Sequence, residues 1–158
     1  MSFPADRVAA IEMRLGHRFR ERALLERALT HASYANEHPP MPHQESLAFV
    51  GDAALSLVVA ERLYEDMPEA PVGVLTPRRA ELVAGATLAR WASALGLPDI
   101  VRLGRGEDQT GGRARPSILA TTLEAVLGVI YLEAGLPAAR TAIARLAGSG
   151  DSTSPVIR

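Results

Sequence analysis

Two acidic residues stand where acids are hardest to place. Residues 47–60 read LAFVGDAALSLVVA and residues 119–132 read LATTLEAVLGVIYL, two apolar runs of fourteen residues that each carry one charge, Asp52 and Glu124. Such runs predict helices buried on most sides, where an ionised carboxylate without a partner is strongly disfavoured. Each acid must then be protonated, hydrogen-bonded or bound to a cation. Position i+4 is Ser56 for Asp52 and Gly128 for Glu124, so neither acid has a basic neighbour there on its own helix. An arginine from elsewhere in the fold would make either one a structural ion pair. Convergence of the two in one small domain makes a divalent-metal site the expectation.

Glu45 lies seven residues before Asp52, two helical turns, so the two share a face with Ala48 between them. Glu45 also suits a first-turn acid stabilised by the helix dipole. His31 and His43 read as caps or surface polar groups rather than as acid–base groups.

The elements that must position these residues are helical. Val8, Ile11 and Leu15 fall at i, i+3 and i+7 in a helix over 5–15 that Gly16 stops, and a second short helix covers 21–29. Pro39, Pro40 and Pro42 exclude a regular helix from 31–42. The third helix runs from about 43 to 66, and 68–74 form a loop. Thr76 and Pro77 read as the N-cap and first residue of a fourth helix reaching Leu95, with Ala84, Leu88, Trp91 and Leu95 buried and Gly96 as its stop. A polar, glycine- and arginine-rich loop follows over 97–116, and a loop of that length is usually functional or mobile. The fifth main helix covers 117–134 and ends at Gly135; Pro137 opens a last helix with Ala139, Ile143 and Leu146 on one face. No two-residue alternation indicates strands. The fold class is all-α, a helical bundle.

With 158 residues the chain makes one domain, placed at 1–148, followed by a frayed tail over 149–158. The apolar fraction of 47% and charged fraction of 22% are those of a globular protein. The absence of cysteine removes disulfides and thiolate metal sites and fits a reducing cytoplasm. The start MSFPADR lacks the form of a signal peptide, and the two acids interrupt the apolar runs short of a membrane span. All 17 basic residues are arginine, which base composition alone can explain, and the net charge is −1. Any nucleic-acid role therefore needs a local basic patch.

The motifs now add up to a resemblance. LGHRFRERALLERALTHASYANEHP, HQESLAFVGDAALSLVV, LTPRRAELV, LGRGEDQTGGRARPSIL and ATTLEAVLGVIYLEAG occur in that order. Over about 15–135 the chain resembles the catalytic domain of the ribonuclease III family, whose signature is written N-E-R-L-E-F-L-G-D. The resemblance implies that Asp52 is the family's catalytic aspartate, Glu124 its catalytic glutamate and Glu45 the first acid of the signature, together holding Mg²⁺, with Mn²⁺ as a substitute. Three positions depart from the pattern: Ala48 and Thr121 replace two of the family's metal-binding acids, and Val72 replaces a third acid. The phrases LAFVGDA and TTLEA resemble the Mini-ribonuclease III branch, which has the nuclease domain alone; the chain ends 23 residues after Gly135, without room for a double-stranded-RNA-binding domain.

The function implied is metal-dependent hydrolysis of double-stranded RNA to 5′-phosphate and 3′-hydroxyl ends by a cytoplasmic homodimer engaged in RNA processing. The alternative is a catalytically inactive dimer serving as an RNA-binding or ribosome-associated scaffold. Between residues 74 and 115 seven arginines (78, 79, 90, 102, 105, 113, 115) face four acids (81, 99, 107, 108), an excess of three. Of these, Arg78, Arg79, Arg105, Arg113 and Arg115 are the expected contacts to the RNA backbone. An aromatic content of 4% leaves little for stacking on single strands.

Overall fold

Helix α4 (Glu45–Asp66) and helix α8 (Pro116–Gly148) are each other's principal neighbours. In this computed structural model, which describes residues 3–148, they form the centre of an all-α bundle. Leu55, Val59 and Leu63 of α4 meet Leu123, Leu127 and Ile130 of α8 in a core that excludes water almost completely. Each fully buried leucine or isoleucine contributes about 1.5–3 kcal/mol relative to exposure, so this apolar contact dominates the stability of the bundle.

Around that pair lie α1 (Ala5–Leu15), α2 (Arg22–Ala28), α3 (Ala32–Glu37), α5 (Val72–Leu82), α6 (Gly85–Leu95) and α7 (Arg105–Gln109). Helix α1 buries Val8, Ile11 and Leu15 and stops at Gly16, whose φ of 67° is a left-handed cap that glycine adopts without strain. Helix α6 buries Leu88, Trp91 and Leu95 and stops at Gly96 in the same way. No strand forms among the described residues; Thr30 and Arg102 make one isolated parallel bridge. The tail expected over 149–158 lies outside the described residues.

Several boundaries differ from expectation, each for a local reason. Residues 31–42 do contain a helix, α3, because the prolines begin only after it and His31 caps it: its side chain accepts from the Ser33 amide at 3.2 Å. Helix α5 starts at Val72 behind Pro71, four residues before the expected cap at Thr76, and takes Pro77 into its interior. The expected fourth helix is two helices, divided where Ala84 adopts an extended backbone (φ −60°, ψ 144°); Ala84 itself is only half-buried.

The long segment 97–116 is not an open loop. It contains α7 and two short 3-10 turns, and Arg113 pins it by donating to the carbonyls of Pro98 at 2.9 Å and Val101 at 3.0 Å. The last two expected helices are both present, running together as α8 and divided as expected at Gly135, whose backbone is not helical (φ 74°, ψ −171°), and Ala139, Ile143 and Leu146 are buried as their spacing required. By length and composition α8 could cross a membrane, but 61% of its most apolar window is buried inside the domain, as in a core helix.

Candidate active site

The site is built on two glycines. A Cβ on Gly51 would overlap the backbone carbonyl of Glu124, and one on Gly128 would overlap the carbonyl of Leu47. Helices α4 and α8 therefore cross backbone to backbone, closer than any side chain permits. That crossing sets Asp52, the residue after Gly51, beside Glu124.

Asp52 is exposed on this chain, contrary to the expectation of burial, and Glu124 is half-buried. The reason is that α4 leaves one apolar face uncovered: Phe49 and Leu57, which flank Asp52, are 79% and 54% exposed. Burial, and then the negative charge of Asp52, push the Glu124 carboxyl up from 4.5 to about 7. Near neutral pH this pair is poised between holding a proton and holding a cation. Two carboxylates to which no described residue supplies a counter-charge are a donor set suited to a hard divalent ion.

The third expected acid sits apart. Glu45 begins α4 with its side chain exposed, 3.8 Å from His43 Nδ1. It acts electrostatically on His31, which burial chiefly holds below its ordinary value while Glu107 and Glu45 oppose that shift. Ala48 is buried between Glu45 and Asp52, and the Thr121 hydroxyl donates back to the Ser117 carbonyl at 2.9 Å. Among the described residues no group of three or more His, Cys, Asp or Glu side chains is arranged to hold a metal ion. The structure thus joins Asp52 to Glu124 and leaves Glu45 with His43.

The five arginines divide by their partners. Arg78 and Arg79 lie on α5, the latter exposed, and Arg105 opens α7 with its side chain in solvent. Arg113 grips Asp108 at 2.7 Å besides its two carbonyls, and Arg115 pairs with Glu107. These last two shape the 97–116 segment from within. Two buried arrangements went unread in the sequence: Gln44 against Thr122, and Glu133 against His17. Only the interruption of an apolar run by Glu133 hinted at the second.

Comparison with known proteins places this geometry. The family model for Ribonuclease-III-like proteins matches residues 21–148. The Ribonuclease 3 of Streptomyces coelicolor is 50% identical over 136 residues, covering 86% of this chain and 49% of that protein. That of Albidiferax ferrireducens is 47% identical over 137 residues, covering 87% and 58%. This chain therefore spans about half the length of the curated relatives it matches. A crystal structure of the nuclease domain of ribonuclease III from Campylobacter jejuni superposes with a TM-score of 0.83 at 37% identity, covering 95% of this chain and 97% of that one. A second structure from that organism, described as showing flexibility in a region involved in dimer formation, gives a TM-score of 0.82 at 38% identity, with 88% and 94% covered. With the family model covering most of its length and relatives close to half identical, the chain belongs to the Ribonuclease-III-like family.

Proposed function

We propose that this chain is the nuclease domain of a cytoplasmic, Mg²⁺-dependent endoribonuclease that cuts double-stranded RNA to 5′-phosphate and 3′-hydroxyl ends in RNA processing. The observation that carries the reading is the Glu124 carboxyl, raised to about 7 by burial and by Asp52 at a glycine-on-glycine crossing. A fold gains nothing in stability from two adjacent acids left unneutralised; a divalent ion between them and a phosphate removes the conflict. Asp52 and Glu124 would hold Mg²⁺, or Mn²⁺ in its place, and Glu45 extends the acidic set two turns along the same face of α4. When bound, the ion supplies an activated water and neutralises charge developing at the phosphate.

The remaining residues orient the substrate. Arg78, Arg79 and Arg105 offer charge to the RNA backbone without reading its sequence. Arg113 and Arg115 hold in shape the 97–116 segment that carries Arg105. The uncovered apolar face of α4, with Phe49, Leu57 and Tyr64, together with Tyr131 and Leu132 of α8, suits a second copy of the chain. Such a dimer would present two acid pairs, one for each RNA strand.

Ala48 and Thr121, where the family pattern has acids, favour one second reading: a dimer that binds duplex RNA without turning it over. Incubating a long duplex RNA with the parent, Asp52→Asn and Glu124→Gln in Mg²⁺ or Mn²⁺ separates the two. Metal-dependent cutting lost in both variants supports the nuclease, and duplex binding without cutting by the parent supports the scaffold.

A further inference from the structure

We infer that Gln44 is a positioning residue for this site, fixing the roll of α4 against α8 so that Asp52 meets Glu124; the inference rests on the metal-dependent nuclease reading. Gln44 directly precedes α4 and is fully buried, at 0% exposure. Its Oε1 lies 3.0 Å from the Thr122 hydroxyl, which also reaches the Ile118 carbonyl at 2.8 Å, while Gln44 Nε2 has no partner. A hydroxyl has one proton and cannot donate to both oxygens. Turned about its amide, Gln44 donates through Nε2 to Thr122 Oγ1, and Thr122 donates to Ile118. Even then one polar atom of Gln44 stays unmatched in an apolar core. For stability alone, an apolar side chain of that length is the better choice.

What the glutamine adds is direction. The Gly51–Gly128 crossing sets how closely the two helices approach, and at the start of α4 Gln44 adds a hydrogen bond to α8, a directional contact that apolar packing alone does not supply. A carboxylate stands about 6 Å from its helix axis, so a roll of about 10° displaces it by about 1 Å. A misplacement of about 1 Å at reacting groups can lower a rate about 100-fold. Gln44 acts at the turn where this matters, since Thr122 lies two residues before Glu124 on α8. Its own amide is held by the Thr30 carbonyl at 3.0 Å, so the side chain works from a fixed base. Arg27 also anchors this end of α4, through the His43 carbonyl at 3.0 Å and Ser46 Oγ at 2.5 Å, but it ties the helix to α2. Gln44 makes the tie to α8.

The test compares the parent chain with Gln44→Met, Thr122→Val and the double variant. Three quantities are read: melting temperature, Mn²⁺ binding by electron paramagnetic resonance without RNA, and kcat and KM for duplex cleavage in Mg²⁺. For Gln44→Met the melting temperature should hold or rise, Mn²⁺ binding weaken about fivefold or more, and kcat fall about 10- to 100-fold with KM unchanged. Thr122→Val should weaken Mn²⁺ binding and kcat likewise, but lower the melting temperature, because it leaves the buried Gln44 amide without its partner; the double variant should regain that stability and be no worse in kcat than either single one, as for two ends of one contact. Mn²⁺ binding and kcat within about twofold of the parent in both single variants would overturn the inference. So would losses in Gln44→Met that merely track a falling melting temperature. A parent that binds Mn²⁺ more tightly than Gln44→Met but cuts no RNA would support the positioning role and end the nuclease reading; a parent that binds no Mn²⁺ overturns both.

Discussion

Glu124 and Glu133 lie nine residues apart on α8, and their surroundings are opposite. The Glu133 side chain is only 2% exposed, yet its carboxyl is held below its ordinary value. Burial alone would raise it; the Glu21 amide at 2.7 Å, His17 Nε2 at 2.7 Å and the Arg20 amide at 3.1 Å outweigh that by donating to the charged form. Glu124, half-buried, rises to about 7, first because burial penalises its charged form with no donor to offset it and then because it faces Asp52. Depth of burial does not decide the charge of a carboxylate in this helix. What it faces decides, and the fold completes Glu133 while leaving Glu124 to be completed from outside.

Replacing each acid by its amide should move stability in opposite directions. Glu133→Gln removes the charge that holds His17 and two backbone amides, and is expected to destabilise by about 3 kcal/mol in denaturant unfolding, with cleavage per folded molecule intact. Glu124→Gln should abolish cleavage yet raise the melting temperature of the metal-free protein at pH 8. The sign follows from its folded value of about 7 against an ordinary 4.5. Between those values the folded state keeps a proton that the unfolded chain has released, so stability falls as pH rises through the window. His31, lowered from 6.5 mainly by burial, gives the opposite slope below that value. The quantity to follow is therefore the difference in melting temperature between parent and Glu124→Gln, small at pH 5 and growing toward pH 8. Mg²⁺ should then stabilise the parent and leave Glu124→Gln unmoved; equal stabilisation of both would separate the ion from this acid.

The same contrast explains what could be read from the residues alone. Asp52 and Glu124 stood out because a single charge in a long apolar run is a strong signal at short range. Glu133 gave a weaker one, since its partners are His17 and the amides of Arg20 and Glu21, more than a hundred residues away and mostly backbone. Gln44 and Thr122 were silent for a similar reason, being polar residues whose burial depends on how two helices cross. The helices themselves were legible from apolar spacing, and the glycine stops at Gly16 and Gly96 were legible from their residue type. The break at Ala84 and the early start of α5 were not. Helix α5 buries none of its residues, so no apolar stripe marked its start.

Adding an acid beside Glu124 sharpens the comparison from the other side. Thr121 lies one turn before Glu124, and its hydroxyl is used only on the Ser117 carbonyl. Thr121→Asp restores an acid of the family pattern and should push the Glu124 carboxyl higher in the metal-free protein. It should also tighten Mn²⁺ binding about tenfold, as a third carboxylate adds charge to a two-carboxylate site. In the parent, weak binding of a first ion and recruitment of any second ion only with the RNA phosphate are expected. Tight two-site binding to the parent in calorimetry without RNA would contradict this account of the reduced acid set.

The smallest effects belong to the arginines, which repeat the contrast between completed and open charges. Arg113 is completed by Asp108 and two carbonyls, whereas Arg79 is exposed on a helix with nothing buried. Arg79→Ala should leave the melting temperature unchanged and weaken duplex binding a few-fold, with the slope of log affinity against log salt reduced by about one. Arg113→Ala should lower the melting temperature instead, since removing the guanidinium leaves the Pro98 and Val101 carbonyls without a donor, and the salt slope should stay that of the parent. If Arg113→Ala lowers the slope as Arg79→Ala does, then Arg113 leaves its internal partners for phosphate when RNA arrives. In that case the 97–116 segment opens on binding, and a contact to Asp108 in the unbound chain does not mark a charge as finished.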